Sequence, residues 1–196
     1  MKKVTVTLLL LCVGFMLSNT SNAQCKFKSI KKYTKYAISE DCNVTVDIAT
    51  KPRVLFKKFS TGAVASFVKS GNDYYLYFYQ VRSYSGKYEI QKENSFVAIF
   101  DNGESLTLYP CGTFSGKRPG ISLVDYGIGC FYSISKSQLQ QVADNTVEVV
   151  QIHITSENDV ANTQIDEDGS RFFEYTINSE NNTEHVTKAA SCILTK

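Results

Sequence analysis

The chain has 196 residues, 43% of them hydrophobic, with 12 Tyr, 12 Phe, no Trp and 3 Pro. Such a composition excludes a disordered polymer, and a net charge of +2 singles out no class of partner. Charge is unevenly spread, however: residues 24–58 hold nine Lys or Arg against three Asp or Glu, and residues 140–196 hold three against ten. We read this asymmetry as two chain ends that lie together, in preference to a basic arm for polyanions.

Met1, Lys2 and Lys3 open the chain with positive charge, a mostly apolar run follows to Leu17, and small polar residues lead to Ala23. These are the three parts of a secretory signal. Ser21 and Ala23 occupy the small-residue positions, which predicts cleavage between Ala23 and Gln24. Residues 1–23 are then a signal peptide and residues 24–196 a single exported domain, periplasmic or extracellular. The run is shorter than the roughly 20 apolar residues of a spanning helix, and no later segment is apolar enough, so no transmembrane segment is expected after cleavage. Asn22 and Gln24 before Cys25 argue against lipidation there.

Residues 24–42 form a Lys-rich segment with interleaved aromatics, a loose arm or a first strand. Val44, Val46 and Ile48 alternate with Asn43, Thr45 and Asp47, which predicts a strand over 43–49. Residues 63–69 and 73–82 predict a hairpin across Ser70-Gly71-Asn72. Residues 96–100 and 105–109 predict another across Asp101-Asn102-Gly103-Glu104, where Asn-Gly suits the positive φ angles of a type I′ turn. Residues 112–120 read as a long loop and 128–134 as a short strand. Residues 135–145 predict a helix capped by Ser135, with Gln138 at the capping-box position and Leu139, Val142 and Ala143 as its apolar stripe. Residues 146–155 and 171–177 predict strands flanking the acidic stretch 156–170. Residues 179–194 predict a terminal helix capped by Ser179, with Val186, Ala189, Ala190 and Ile193 at helical spacing. Strands in hairpins, not alternating with helices, define an α+β fold: an antiparallel β-sheet with one internal and one C-terminal helix packed on it.

The order Phe96–Phe100, Asp101-Asn102-Gly103-Glu104, residues 105–109, a Gly-rich loop, Tyr132-Ser133-Ile134-Ser135-Lys136-Ser137-Gln138-Leu139, Val147–Ile154 and a last helix ending Cys192-Ile193-Leu194 resembles a loose group of uncharacterised exported β-rich proteins of Bacteroidetes-type bacteria. The signal ending Asn22-Ala23-Gln24 is similar to that group's as well. The resemblance covers roughly residues 74–194. It implies a shared fold and compartment, and no catalytic residues, because none is established for the group.

Five Cys follow the signal: Cys25, Cys42, Cys111, Cys130 and Cys192. Export permits disulfides, and an odd number leaves one thiol over. Sequence proximity pairs Cys25 with Cys42 and Cys111 with Cys130, each bridge stabilising by about 3 kcal/mol in the chain-entropy model. Connectivity itself is not legible in the spacing. Cys192 is then left over, on the buried side of the terminal helix.

Candidate sites are few. His153, mid-strand opposite the apolar face, and His185, on the terminal helix, belong to no cluster at zinc-ligand spacing. A Cys111 or Cys130 nucleophile with His153 as base is less favoured than disulfides for both Cys. Asp166-Glu167-Asp168-Gly169-Ser170 lacks the spaced acids of a calcium loop and reads as an acidic hairpin tip. Gly127-Ile128-Gly129 and Gly112-x-x-Ser115-Gly116 match no phosphate or nucleophile motif and read as loop. The most unusual segment is Asp73-Tyr74-Tyr75-Leu76-Tyr77-Phe78-Tyr79, where alternation sets Tyr75, Tyr77 and Tyr79 on one face. Exposed, that row stacks on sugar rings or a partner protein; buried, it is a central strand. The basic segment, with Arg53, Lys57 and Lys58, is either an anion-binding face or a complement to the acidic C-terminal half. No cofactor, metal or nucleic-acid partner is called for. The sequence therefore points to a non-enzymatic binding or accessory module of the cell envelope, with an envelope protein or glycan as partner. A secreted hydrolase and a self-assembling structural subunit stand as alternatives.

Overall fold

The computed structural model describes residues 25–58, 61–83, 87–118, 125–156, 160, 162–177 and 180–196. The expected signal segment, residues 1–23, and the expected Ser179 cap lie outside these residues. Twelve strands are described, and every pairing among them is antiparallel. They are β1 (Ile48–Ala49), β2 (Arg53–Lys58), β3 (Thr61–Ser70), β4 (Asp73–Ser83), β5 (Glu89–Ile90), β6 (Phe96–Phe100), β7 (Ser105–Leu108), β8 (Phe114–Ser115), β9 (Asp125–Ser133), β10 (Val147–Ile154), β11 (Gln164–Ile165) and β12 (Arg171–Thr176). Helix α1 (Lys31–Thr34) is a single turn, α2 (Lys136–Asp144) is internal and α3 (Glu180–Leu194) ends the chain.

The first sheet runs β3-β4-β9, with β1 and β2 sharing the far edge of β3; the second runs β11-β12-β10-β6-β7. One edge joins them. Beyond β7 the chain passes along β9, with Ser133 N donating to Tyr109 O and Cys111 N to Phe131 O, both at 3.0 Å. The result is the α+β arrangement that hairpin succession dictates, divided between two facing five-stranded sheets, with β5 and β8 as a separate two-stranded pair.

Local signals explain the turns. Gly71, with φ +58°, takes the first position of the two-residue β3–β4 loop, where Gly meets no steric cost. In the β6–β7 loop only Gly103 has positive φ, +81°, so the connection is not type I′. Phe100 N donates to Glu104 O and Gly103 N to Phe100 O, a three-residue loop closed by a left-handed Gly. Asn102 Oδ1 accepts from Glu104 N at 2.9 Å, the local bond Asn makes in turns. Helix α2 begins with the capping box: Gln138 N donates to Ser135 Oγ, and Ser135 N donates to Gln138 Oε1 at 2.8 Å.

Between the sheets, Phe67, Leu76 and Phe78 face Phe96, Ala98 and Val150, all buried. Helix α2 lies along α3, and α3 rests on β2, β3 and β10. A polar chain crosses the same interior. Arg82 Nη1 donates to Tyr175 Oη at 2.9 Å, Tyr175 Oη to Gln80 Oε1 at 2.7 Å, and Gln80 Nε2 to Tyr88 Oη at 2.5 Å. The Arg82 guanidinium lies 4.3 Å from the Phe173 ring centroid, and no described carboxylate pairs with it. The aromatic face and the phenol oxygen take the place of an anion. Burial pushes the Tyr88 phenol well above its ordinary pKa, so the chain stays neutral apart from Arg82.

The disulfides differ from the proximity pairing. Cys25 joins Cys192, with Cα atoms 5.4 Å apart, and Cys42 joins Cys111 at 5.5 Å. Cys130 is the unpaired one; it faces the interior from β9, and burial raises its thiol pKa well above the ordinary value. The two chain ends do lie together, as the charge asymmetry suggests. They meet through the Cys25–Cys192 bond and the Lys196 ammonium 5.4 Å from the Phe27 ring centroid; among the described residues no ion pair links the basic end to the acidic one.

Candidate functional site

Residues 25–50 cross the outer face of the first sheet as a strap. Its ends are stitched together, Lys28 N to Ala49 O at 3.0 Å and Lys51 N to Lys26 O at 2.8 Å. The outgoing arm starts at the Cys25–Cys192 bond, buries Ile30, turns once through α1 and reaches Tyr36. There it crosses β9, where Gly129 N donates to Tyr36 O at 2.9 Å. A Cβ on Gly129 would lie 2.6 Å from Tyr77 Oη and 3.0 Å from Ala37 N. Gly127 and Gly129 are thus strand residues and not loop. Gly129 is there because another backbone comes close, one of the usual reasons for Gly within a strand.

At its far end the strap is pinned by the Cys42–Cys111 bond and by Asp41. Asp41 takes the Lys92 ammonium at 2.8 Å, the Ser39 hydroxyl at 2.9 Å and Thr113 N at 2.9 Å. These donors, Lys92 foremost, hold its carboxyl down at a pKa of about 2. The return arm, residues 42–47, makes no strand. Of the predicted 43–49 strand, only Ile48 and Ala49 pair, because β3 ends at Ser70 and turns away at Gly71.

The tyrosine row lies beneath this strap. Tyr77 is 0% exposed, its ring 4.9 Å from that of Phe131. Tyr75 meets Phe131 edge-on at 6.2 Å, and Tyr79 packs on Tyr36 at 4.9 Å. Tyr77 is therefore covered and Tyr75 and Tyr79 are half-buried, so the row is not a fully open stacking platform. The basic segment places Lys35 over the Tyr36 ring at 5.0 Å, where Lys117, beyond β8, also lies at 5.4 Å, and it places Arg53 on β2; the side chains of Lys57 and Lys58 lie outside the described residues.

Between the two arms opens a groove of about 1170 Å³. Phe131 lies in its floor. Phe27, Ile30, Val44 and Val46 supply apolar wall, and Lys28, Lys31 and Lys196 supply cationic groups. Two carboxylates border it, Glu40 and Asp47; the second is committed to Gly71 N at 2.6 Å.

One acid–base constellation lies elsewhere. Ser95 Oγ is 3.0 Å from His153 Nδ1, and His153 Nε2 is 3.4 Å from Asp166 Oδ2. The same Nδ1 also lies 3.2 Å from Ser95 O, so Oγ does not hold the ring nitrogen alone. Asp166 shapes the acidic tip, accepting Ser170 N at 2.7 Å. Neither the groove nor the small apolar cavity between the sheets reaches this cluster. Sequence offered no signal for it, because Ser95, His153 and Asp166 come from three separate segments. Cys130 and His153 are not brought together: Cys130 faces the interior, whereas His153 alternates with the buried Ile152 and Ile154. His185 is held below its ordinary pKa by burial and then by Arg53. Among the described residues no group of three or more His, Cys, Asp or Glu is placed to hold a metal, and no helix is long and apolar enough to cross a membrane. Comparison with protein-family models, curated proteins and solved structures finds no match.

Proposed function

We propose that this protein is an exported, non-enzymatic binding module of the cell envelope whose ligand lies in the groove between the two arms of the strap. One observation carries the reading: a concave surface of about 1170 Å³ whose strap is tied at each end by a disulfide. Ligand sites are concave, largely preformed and apolar with a few placed polar groups, and a braced wall loses little freedom on binding. The secretory signal, the paired cysteines and the resemblance to exported proteins support the compartment. The partner is an envelope protein or glycan.

The test is a titration of the mature protein with peptide and glycan fractions of the envelope, followed by NMR. Shifts should concentrate at Ala37, Val44, Val46 and Phe131. They should vanish in Ala37→Phe, which fills the groove, at an unchanged melting temperature. Shifts confined to other surfaces would remove the groove from the function.

The Ser95–His153–Asp166 constellation favours a second reading, a secreted hydrolase with Ser95 as nucleophile and His153 as base. A fluorophosphonate probe that labels Ser95 in the wild type and not in His153→Ala would establish it. The binding module requires no labelling.

A further inference from the structure

The return arm has a property that the groove alone does not explain. Asn43, Thr45 and Asp47 are exposed and Val44, Val46 and Ile48 half-buried, the period-two pattern of an extended chain. Val44, Val46 and Ile48 rest on the core. Yet no backbone N–H or C=O of residues 43–46 is hydrogen-bonded within the described chain. The segment runs straight into β1, so it is extended chain that overshoots the strand pairing: pairing stops at Asp47 N to Lys69 O, 3.1 Å, where β3 turns back. Native proteins seldom leave such a row of donors and acceptors bare without a bulge, a Pro or a nearby charge to block it. Residues 43–46 contain none of these, and they line the groove.

We infer that the groove's occupant is an extended acidic polypeptide segment that adds as a strand to residues 43–46. This deepens the reading of the groove as the ligand site and rests on it. Main-chain addition supplies affinity through backbone bonds repeated along the strand, and alternate side chains drop into the groove. A sugar or lipid headgroup has no donor–acceptor repeat that matches a strand edge at about 3.3 Å per residue. Charge selects the peptide. Lys28 and Lys31, on the facing arm, form no ion pair among the described residues, and Lys196 lies beside them against the Phe27 ring at 5.4 Å. Glu40 is the only groove carboxylate without a committed partner. Acidic side chains alternating with apolar ones meet these cations while the apolar set faces Phe131.

The experiment uses the mature protein with its disulfides intact and four probes: a ten-residue peptide alternating Glu and Val, its Lys-for-Glu counterpart, the Glu–Val peptide N-methylated at its four central residues, and dextran sulfate. Residue-resolved amide exchange and shift mapping are read together. The Glu–Val peptide should protect alternate amides within 43–46 and bind at least tenfold tighter than either the Lys–Val or the N-methylated peptide. Lys28→Glu with Lys31→Glu should reverse the charge preference. Absence of protection at 43–46 with every peptide overturns the inference, as does N-methylated peptide binding equally well. Dextran sulfate that shifts Ala37 and Phe131 without protecting residues 43–46 keeps the groove as a ligand site and removes the peptide. No groove perturbation by any probe sinks both.

Discussion

The interior between the sheets and the strap across the first sheet are held by different means. In the interior, Phe78 and Phe173 are wholly buried, strands pair along long registers such as the nine residue pairs from Gly62↔Val81 to Ser70↔Asp73, and Arg82 is locked by Tyr175 and Phe173. The strap has one helical turn and two strand residues. It depends on two disulfides, the Asp41 anchor and the close crossing at Gly129. Regions with few backbone ladders open locally, below the free energy of global unfolding. The strap can therefore loosen while the sheets stay closed.

Three variants sharpen that contrast, in falling order of effect. Phe78→Ala removes a wholly buried ring that meets Phe96 at 5.9 Å. It should cost about 3–5 kcal/mol and lower a single melting transition, with interior and strap amides losing protection together. Replacing Cys25 and Cys192 by Ser opens a link spanning 167 residues and should cost about 2–5 kcal/mol. Here the amides that close the strap, Lys28 and Lys51, should exchange faster while those of β4 keep their order of protection. Equal loss in both regions would erase the distinction. Gly129→Ala sets a methyl 2.6 Å from Tyr77 Oη and 3.0 Å from Ala37 N. It should cost about 1–3 kcal/mol, as overpacking does, and release the Tyr36 crossing, read as loss of the shielding of Tyr79.

What the sequence disclosed divides along the same line. Short-range physics was legible: the Ser135 capping box, the Gly71 and Gly103 turns and the hairpin order all sit within a few residues of their partners. Tyr75, Tyr77 and Tyr79 were legible as one strand face, but not the cover over them, which depends on Tyr36 reaching Gly129 across 93 positions of chain. Cysteine proximity misled for the same reason. Cys25 and Cys42 sit at opposite ends of the strap and are bonded to different parts of the fold. The alternation over 43–49 predicted a strand, of which only Ile48 and Ala49 pair. It could not show that β3 turns away at Gly71 and leaves residues 43–46 without a partner. Likewise Ser95, His153 and Asp166 meet only because β6, β10 and β12 are neighbours in the second sheet.

The smallest expected effect tests the strap at its far end. Asp41 is exposed, yet the Lys92 ammonium, then the Ser39 hydroxyl and Thr113 N–H, hold its carboxyl at about 2 against an ordinary 3.8. A carboxyl whose pKa is depressed by folding contributes stability that is fully present above its unfolded value and lost as pH falls through the folded one. The anchor should therefore be intact above about pH 4 and fade as pH falls toward 2, with the Cys42–Cys111 bond keeping the strap attached. The Thr113 amide shift should titrate with a midpoint near 2, and Asp41→Asn should flatten that titration. A midpoint at 3.8 would mean that Asp41 gains nothing from Lys92 and that the disulfide alone holds this end. The groove's outer wall would then depend on Cys42 and Cys111, and reduction, not acid, would be the condition that opens it.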